Sequence, residues 1–326
     1  MTERETENKT DKRLIILGPD EIEAIYGLPV FDEEDRAFHF TLLPPERAAL
    51  SSLHSVKSRL YFILQLGYFK ARHQFFIFTA QDVWADVRYV QQTYFPDFEL
   101  TDFAITKVTR LKQQRIILDL LLYRYPEDAD RQQLQLIAQQ VAKVDSQPIY
   151  ILRELLHRLA EQRLIAPGYT FLQDTVGQAL QYEQNRLIAV ANAHLSDDDK
   201  AALNKLLSNP HGLYEITRLK REPKDFSSQE ITQEIKRGEQ IQALYGAAKR
   251  LLPHLDISNE SIKYYAGLVT YYSVYQLNQL DQQLVSIYLL CFVYHRYQKL
   301  HDNLIRCFIY HVKRYLVGDY PYLLNL

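Results

Sequence analysis

Apolar residues recur along almost the whole chain at i, i+3, i+4 and i+7, the period of a helix with one buried face, while alternating runs are short. Prolines, glycines and capping residues cut this pattern into segments. Residues 11–43 are mixed, with a brief extended piece at 14–17 and a helix start at Pro19-Asp20-Glu21-Ile22 that Pro29 ends. Pro44-Pro45 opens a helix with Leu53, Val56, Leu60, Ile63, Leu64 and Tyr68 on one face. Thr79 with Asp82 resembles an N-cap and its partner before Val83, Trp84, Val87 and Val90. Pro96 stops that helix, and another spans about 101–125 until Pro126.

Further helices are expected over 128–144, 148–163 and 169–192. Ser196 with Asp199 caps a short one ending near Leu207, and Asn209-Pro210-His211-Gly212 is the strongest turn signal. Ser227-x-x-Glu230 reads as a capping box before a helix to about Arg250, which Pro253 breaks. Segments 258–277, 281–297 and 301–317 complete the series, with no internal repeat of fixed period. The expectation is an all-α fold of several small helical bundles in tandem, divided as 1–125, 126–210 and an aromatic-rich 211–326.

Composition narrows the chemistry. Ten glycines in 326 residues is about half the usual share. GxGxxG and GxxxxGK[ST] phosphate loops are absent, as are HExxH, CxxC and GxSxG. The ten histidines are scattered, no metal set or catalytic nucleophile–base pair emerges, and no cofactor is implied. Residues 1–13 are polar and do not read as a secretory signal. The longest apolar run, 284–294, is too short for a membrane span and reads as a buried helix. No membrane partner is expected, the expected compartment is a reducing cytoplasm, and Cys291 and Cys307 read as small core residues.

The net charge of −2 conceals alternation: −6 over 1–50, +4 over 51–125, −4 over 126–200 and +4 over 201–326. Such asymmetry suits a DNA-reading module inside a neutral protein, though chance clustering also produces it. The helices around 79–94 and 101–124, joined by Phe95-Pro96-Asp97-Phe98, resemble a helix-turn-helix. Lys107, Arg110, Lys112 and Arg115 stand early in the second, where Arg can fork onto guanine and Lys neutralises phosphate. Lys57, Arg59, Lys70 and Arg72 flank the aromatic run around Tyr61, Phe62, Tyr68 and Phe69. Phe62 and Phe69 have core spacing. Arg158 and Arg163 on one helix, and Arg218, Lys220, Arg221 and Lys224 in a loop, are further DNA-contact candidates; solvated helix faces and a solvated linker are the plainer alternatives.

The last third is rich in tyrosine. Tyr264, Tyr265, Tyr271, Tyr272 and Tyr275 are read onto one helix, on more than one face, which implies burial with hydroxyls reaching water or partners. The apolar ending 320–326 suggests packing against something outside the chain. Asp281 and Asp302 fall at expected helix breaks and read as caps, and Asp197–Asp199 complement a helix dipole.

Several blocks in order carry a family resemblance from about Ile16 to Leu316. Leu17-Gly18-Pro19-Asp20-Glu21-Ile22 through Tyr26-Gly27-Leu28-Pro29, then Phe38-His39-Phe40-Thr41-Leu42 with Glu46, open it. Arg59-Leu60-Tyr61-Phe62-Ile63-Leu64-Gln65-Leu66-Gly67-Tyr68-Phe69 follows, then Thr109-Arg110 with Leu122-Tyr123-Arg124. Arg163-Leu164-Ile165-Ala166-Pro167-Gly168-Tyr169 and Tyr288-Leu289-Leu290-Cys291-Phe292-Val293, with Arg296-Tyr297 and Asp302, continue it. Together they resemble the N-terminal region of the Tn-three family of replicative transposases. The chain departs from that pattern at Lys112, Gln113 and Leu122, and at Ala71-Arg72-His73, where the family has a Pro-Gly turn.

The resemblance implies a helical region that binds double-stranded DNA at transposon terminal inverted repeats. The acidic catalytic triad of that family lies downstream, in a ribonuclease-H-like domain, beyond where this chain stops. The expected chain therefore recognises ends without cutting them, alongside a catalytic transposase chain or another copy of itself. The rival expectation is a helical interaction module that docks a partner through its aromatic C-terminal third.

Overall fold

The computed structural model describes residues 14–98, 104–209 and 212–319, with side chains to residue 315. The turn expected at Pro210-His211, the start of the helix expected from residue 101, and the terminal stretches 1–13 and 320–326 lie outside the described residues. Among those described the fold is all-α, with fifteen helices and no strand. A single parallel β-bridge pairs Arg124 with Leu164. No helix among the described residues is long and apolar enough to cross a membrane.

The residues gather into two compact units. Unit 1 takes the described residues up to Ala138 and Leu152–Gly177; unit 2 takes Gln139–Ile151 and those from Gln178 on. The chain passes between them inside helices α7 (Asp128–Val144), α8 (Pro148–Glu161) and α9 (Tyr169–His194). These passages are not at the breaks near 126 and 210 on which the expected division rests.

Unit 1 is organised around α4 (Val56–Arg72), on which α2 (Glu33–Phe40), α5 (Trp84–Tyr94) and α6 (Lys107–Leu121) pack. Every residue of α4 from Leu60 to Phe69 is buried, so the helix is a central rod and not the one-faced helix expected. Gly67 makes the α2 contact possible. A Cβ there would come within 2.4 Å of the Phe40 ring. Buried polar groups on α4 are tied to neighbours: Gln113 Nε2 on α6 donates to the Ser58 carbonyl and hydroxyl, both at 2.8 Å. Tyr68 Oη donates to Asp86 Oδ2 on α5 at 2.7 Å, and Arg36 Nε on α2 donates to Asp86 Oδ1 at 2.7 Å.

Several boundaries differ from the sequence expectation. The helix opened by Pro44-Pro45 ends at Leu50 (α3, Pro44–Leu50), and α4 starts afresh behind the N-cap Ser55. The Thr79–Asp82 pair closes a turn, and α5 begins at Trp84 behind Val83. Residues 14–17 form no strand; the Ile16 and Leu17 amides donate to Tyr169 Oη. The short helices α1 (Pro19–Tyr26) and α2 fall in the stretch whose pattern is mixed.

Unit 2 has its own rod, the first part of α15 (Gln282–Asp319), buried throughout from Leu284 to Val293. Helices α10 (Asp197–Leu206), α12 (Ser228–Leu255) and α13 (Asn259–Tyr271) pack on it, with the short α11 (Glu215–Leu219) and α14 (Val274–Asn278) between them. The break expected near residue 300 does not occur: α15 runs on, and Asp302 lies inside it. Asp281 does cap, accepting from the amides of Gln283 and Leu284. Pro253 sits in the last turn of α12 without ending it. The tyrosine series is divided, because α13 ends at Tyr271 and Ser273 caps α14. Tyr265 is buried against Tyr288 with its hydroxyl on Ser146 Oγ at 2.8 Å, whereas Tyr271 and Tyr275 are exposed.

Candidate nucleic-acid interface

Thr106 starts α6 by accepting from the Thr109 amide, and Gln113, Ile117 and Leu118 supply its buried contacts. At 3.6 residues per turn, Val108, Leu111, Lys112, Arg115 and Asp119 fall within an arc of about 100°. All five are exposed, Val108 at 78%. Lys107 flanks this arc, also exposed. Among the described residues, Lys107, Lys112 and Arg115 have no carboxylate within ion-pair distance. The helix thus turns cations and aliphatic side chains outward together, and Val108 and Leu111 are members that a search for basic residues overlooks. Their signal was the spacing 108, 111, 112, 115.

Arg110 lies off this arc, half-buried beside Tyr61. Burial pushes the Tyr61 phenol up, and the Gln65 hydrogen bond and the Arg110 charge oppose that push. Part of the connection expected to form the helix-turn-helix, residues 99–103, lies outside the described residues. Twelve residues, 95–106, separate α5 from α6, where such a motif has about three or four. Both helices lean on α4.

The other basic candidates of unit 1 are mostly engaged. Arg59 Nε donates to the Leu53 carbonyl at 2.8 Å, and Lys57 is half-buried. Lys70 Nζ bridges the Thr41 carbonyl at 3.1 Å and the buried Glu46 carboxylate at 2.8 Å. Arg72, at the end of α4, is exposed. Arg158 pairs with Glu154 and Glu161 along its own helix, and Arg163 donates to the Leu121 carbonyl. Phe62 and Phe69 are wholly buried in the core, out of reach of a nucleobase.

In unit 2, Arg218 lies near Glu215 at 3.5 Å, and Lys220 Nζ donates to the Tyr272 carbonyl at 2.7 Å. Arg221 and Lys224 are exposed in the segment that follows. Cys291 and Cys307 are both free and buried. Among the described residues no group of three His, Cys, Asp or Glu side chains could hold a metal ion.

No curated protein matches the chain. A family profile matches residues 16–179, from the segment before α1 into α9, and so takes in α4 and the outward face of α6. The chain belongs to the family described as Domain of unknown function (DUF4158).

Proposed function

We propose that the chain is a DNA-binding module that recognises the terminal inverted repeats of a transposon, as the resemblance to the Tn-three transposases implies. In this reading α6 meets the duplex, and strand cleavage is assigned to none of the residues described above. The observation that carries it is the outward face of α6, where Lys107, Lys112 and Arg115 lack carboxylate partners among the described residues and alternate with Val108 and Leu111. Cations of this kind neutralise phosphates, and aliphatic side chains between them suit the thymine methyl in the major groove. Arg72 is a further exposed cation of unit 1.

The test is titration of a labelled inverted-repeat duplex against a scrambled duplex across a salt series. The reading requires preference for the repeat and an affinity that falls steeply with salt. Replacing Lys107, Lys112 and Arg115 by Gln lowers the salt slope by about 0.9 for each phosphate contact removed. Equal affinity for both duplexes, or none at low salt, refutes end recognition.

A second reading, a module that docks a partner protein, is favoured by one feature of α15. Beyond its buried part, Ile305, Phe308, Ile309, Val312 and Tyr315 form an exposed stripe at helical spacing, with Phe308 70% exposed. Light scattering that finds a stable complex, lost in Phe308→Asp, together with no DNA affinity, would favour this reading.

A further inference from the structure

A cleft of about 570 Å³ lies in unit 2, between the segment after α11 and helices α13 and α15. Lys220, Lys263, His295, Arg296 and Lys299 line it, with Glu222 as the one carboxylate. Gly267 opens its wall, since a Cβ at that position would meet nothing within 4 Å.

Arg296 is the unusual member. It is 4% exposed, and its Nε and Nη2 donate to the carbonyls of Leu219 and Arg221, both at 2.6 Å. Nη2 also reaches both oxygens of Glu234, at 3.1 and 3.3 Å. Nη1 is buried and has no partner. Leaving a guanidinium N–H unpaired in the interior is costly, so a site that supplies the missing acceptor is favoured.

The charges do not balance either. Glu234 is shared between Arg296 and Arg237, Lys263 pairs with Glu260, and Lys299 with Glu222. Lys220 has only a carbonyl partner in the described contacts. Four lining cations, Lys220, Lys263, Arg296 and Lys299, thus have three carboxylates between them, and one of these, Glu234, is divided with Arg237 outside the cleft. Burial lowers the Lys220 ammonium, and His295 is pulled down by burial and then by Lys299, Lys263 and Arg296.

We infer that this cleft receives a phosphate group, carried either by a free phosphate compound or by the backbone of a nucleic acid. A phosphate answers the uncompensated positive charge, and its oxygens are acceptors of the kind that Arg296 Nη1 lacks. The inference rests on the cleft alone and does not require the end-binding reading.

The full chain is titrated calorimetrically with inorganic phosphate and pyrophosphate at constant ionic strength, and separately with duplex DNA. Saturable binding to one site is expected. The K220Q/K299Q variant weakens it at least about tenfold, as loss of charge-assisted hydrogen bonds requires. Gly267→Leu blocks it by filling the cleft and sacrifices no packing contact, so it holds as a test if the lysine variant folds poorly. Glu222→Gln tightens binding, because it removes the competing carboxylate and frees Lys299.

Small-phosphate binding with these responses, and duplex affinity unchanged, identifies a free phosphate compound. Lost duplex affinity in K220Q/K299Q and Gly267→Leu, regained in Glu222→Gln, identifies the backbone. Phosphate binding that persists in the folded Gly267→Leu variant overturns the inference. So does the absence of small-phosphate binding together with no duplex binding, or with duplex binding that none of these variants changes.

Discussion

At Asp86 three helices of unit 1 meet. The residue is 5% exposed, and its carboxylate accepts from Arg36 on α2 and from the wholly buried Tyr68 on α4. Asp86→Ala leaves the Tyr68 hydroxyl without an acceptor, a loss of about 1–3 kcal/mol. Arg36 keeps 18% exposure and can turn toward water, so its share is smaller than for a fully buried partner. The expected total is about 3 kcal/mol. Tyr68→Phe leaves the carboxylate its arginine and costs about 2 kcal/mol.

The double variant loses about 3 kcal/mol and not 5, because the two changes remove the same bond, a coupling of about 2 kcal/mol. Trp84, the only tryptophan of the chain, lies on α5 two residues from Asp86, so its fluorescence reports unit 1 separately from unit 2. With a urea slope of about 2 kcal/mol/M, Asp86→Ala moves the midpoint down by about 1.5 M. A change below about 0.5 kcal/mol, or a double variant whose losses add, would refute the coupling.

Gly67→Ala sets a Cβ against the Phe40 ring, and the clash destabilises unit 1 by about 1–3 kcal/mol in the same fluorescence titration. An unchanged midpoint would mean that α2 yields freely. The Arg124 hydrogen bond, with help from the Glu127 amide, holds the Asp130 carboxyl down at about 2, below its ordinary 3.8. A depressed carboxylate stabilises the fold above its unfolded pKa and loses that contribution as pH falls through the folded value. Asp130→Asn therefore melts below the unaltered chain at pH 6, and the gap closes toward pH 2; a gap that does not depend on pH contradicts the assignment. Burial pushes the Cys291 thiol up to about 12, and Cys307 is raised too. Neither thiol should react with a disulfide reagent at pH 8 before urea unfolds the chain, and rapid native labelling at either would show that its surroundings open.

Helix identity was plain in the sequence wherever local chemistry decides it. Ser196, Ser227, Pro19 and Pro44 each mark a helix start in the structure, because capping oxygens and a fixed proline φ act within one turn. The buried run 284–293 was legible for the same reason, as no exposed helix tolerates so many consecutive apolar residues. Helix ends were less legible where packing opposes a local signal. Pro253 is carried within α12, and α15 continues past residue 300 where the pattern suggested a break.

What only the tertiary structure decided is which charges are spent. Lys70, Arg59 and Arg158 look like Lys112 and Arg115 in the sequence, but carbonyls or carboxylates hold the first three. Arg158 has its carboxylates on its own helix, but the partners of Lys70 lie 24 and 29 residues away, so no local pattern could reveal those. Arg296 likewise reads as one more basic residue on an apolar helix until α11, α12 and the segment between them surround it. By itself the sequence determined that the chain is helical and where its apolar rods lie, since periodicity and capping are local. Folding decided which cations remain without a carboxylate partner among the described residues, because desolvation and pairing depend on neighbours distant in the chain.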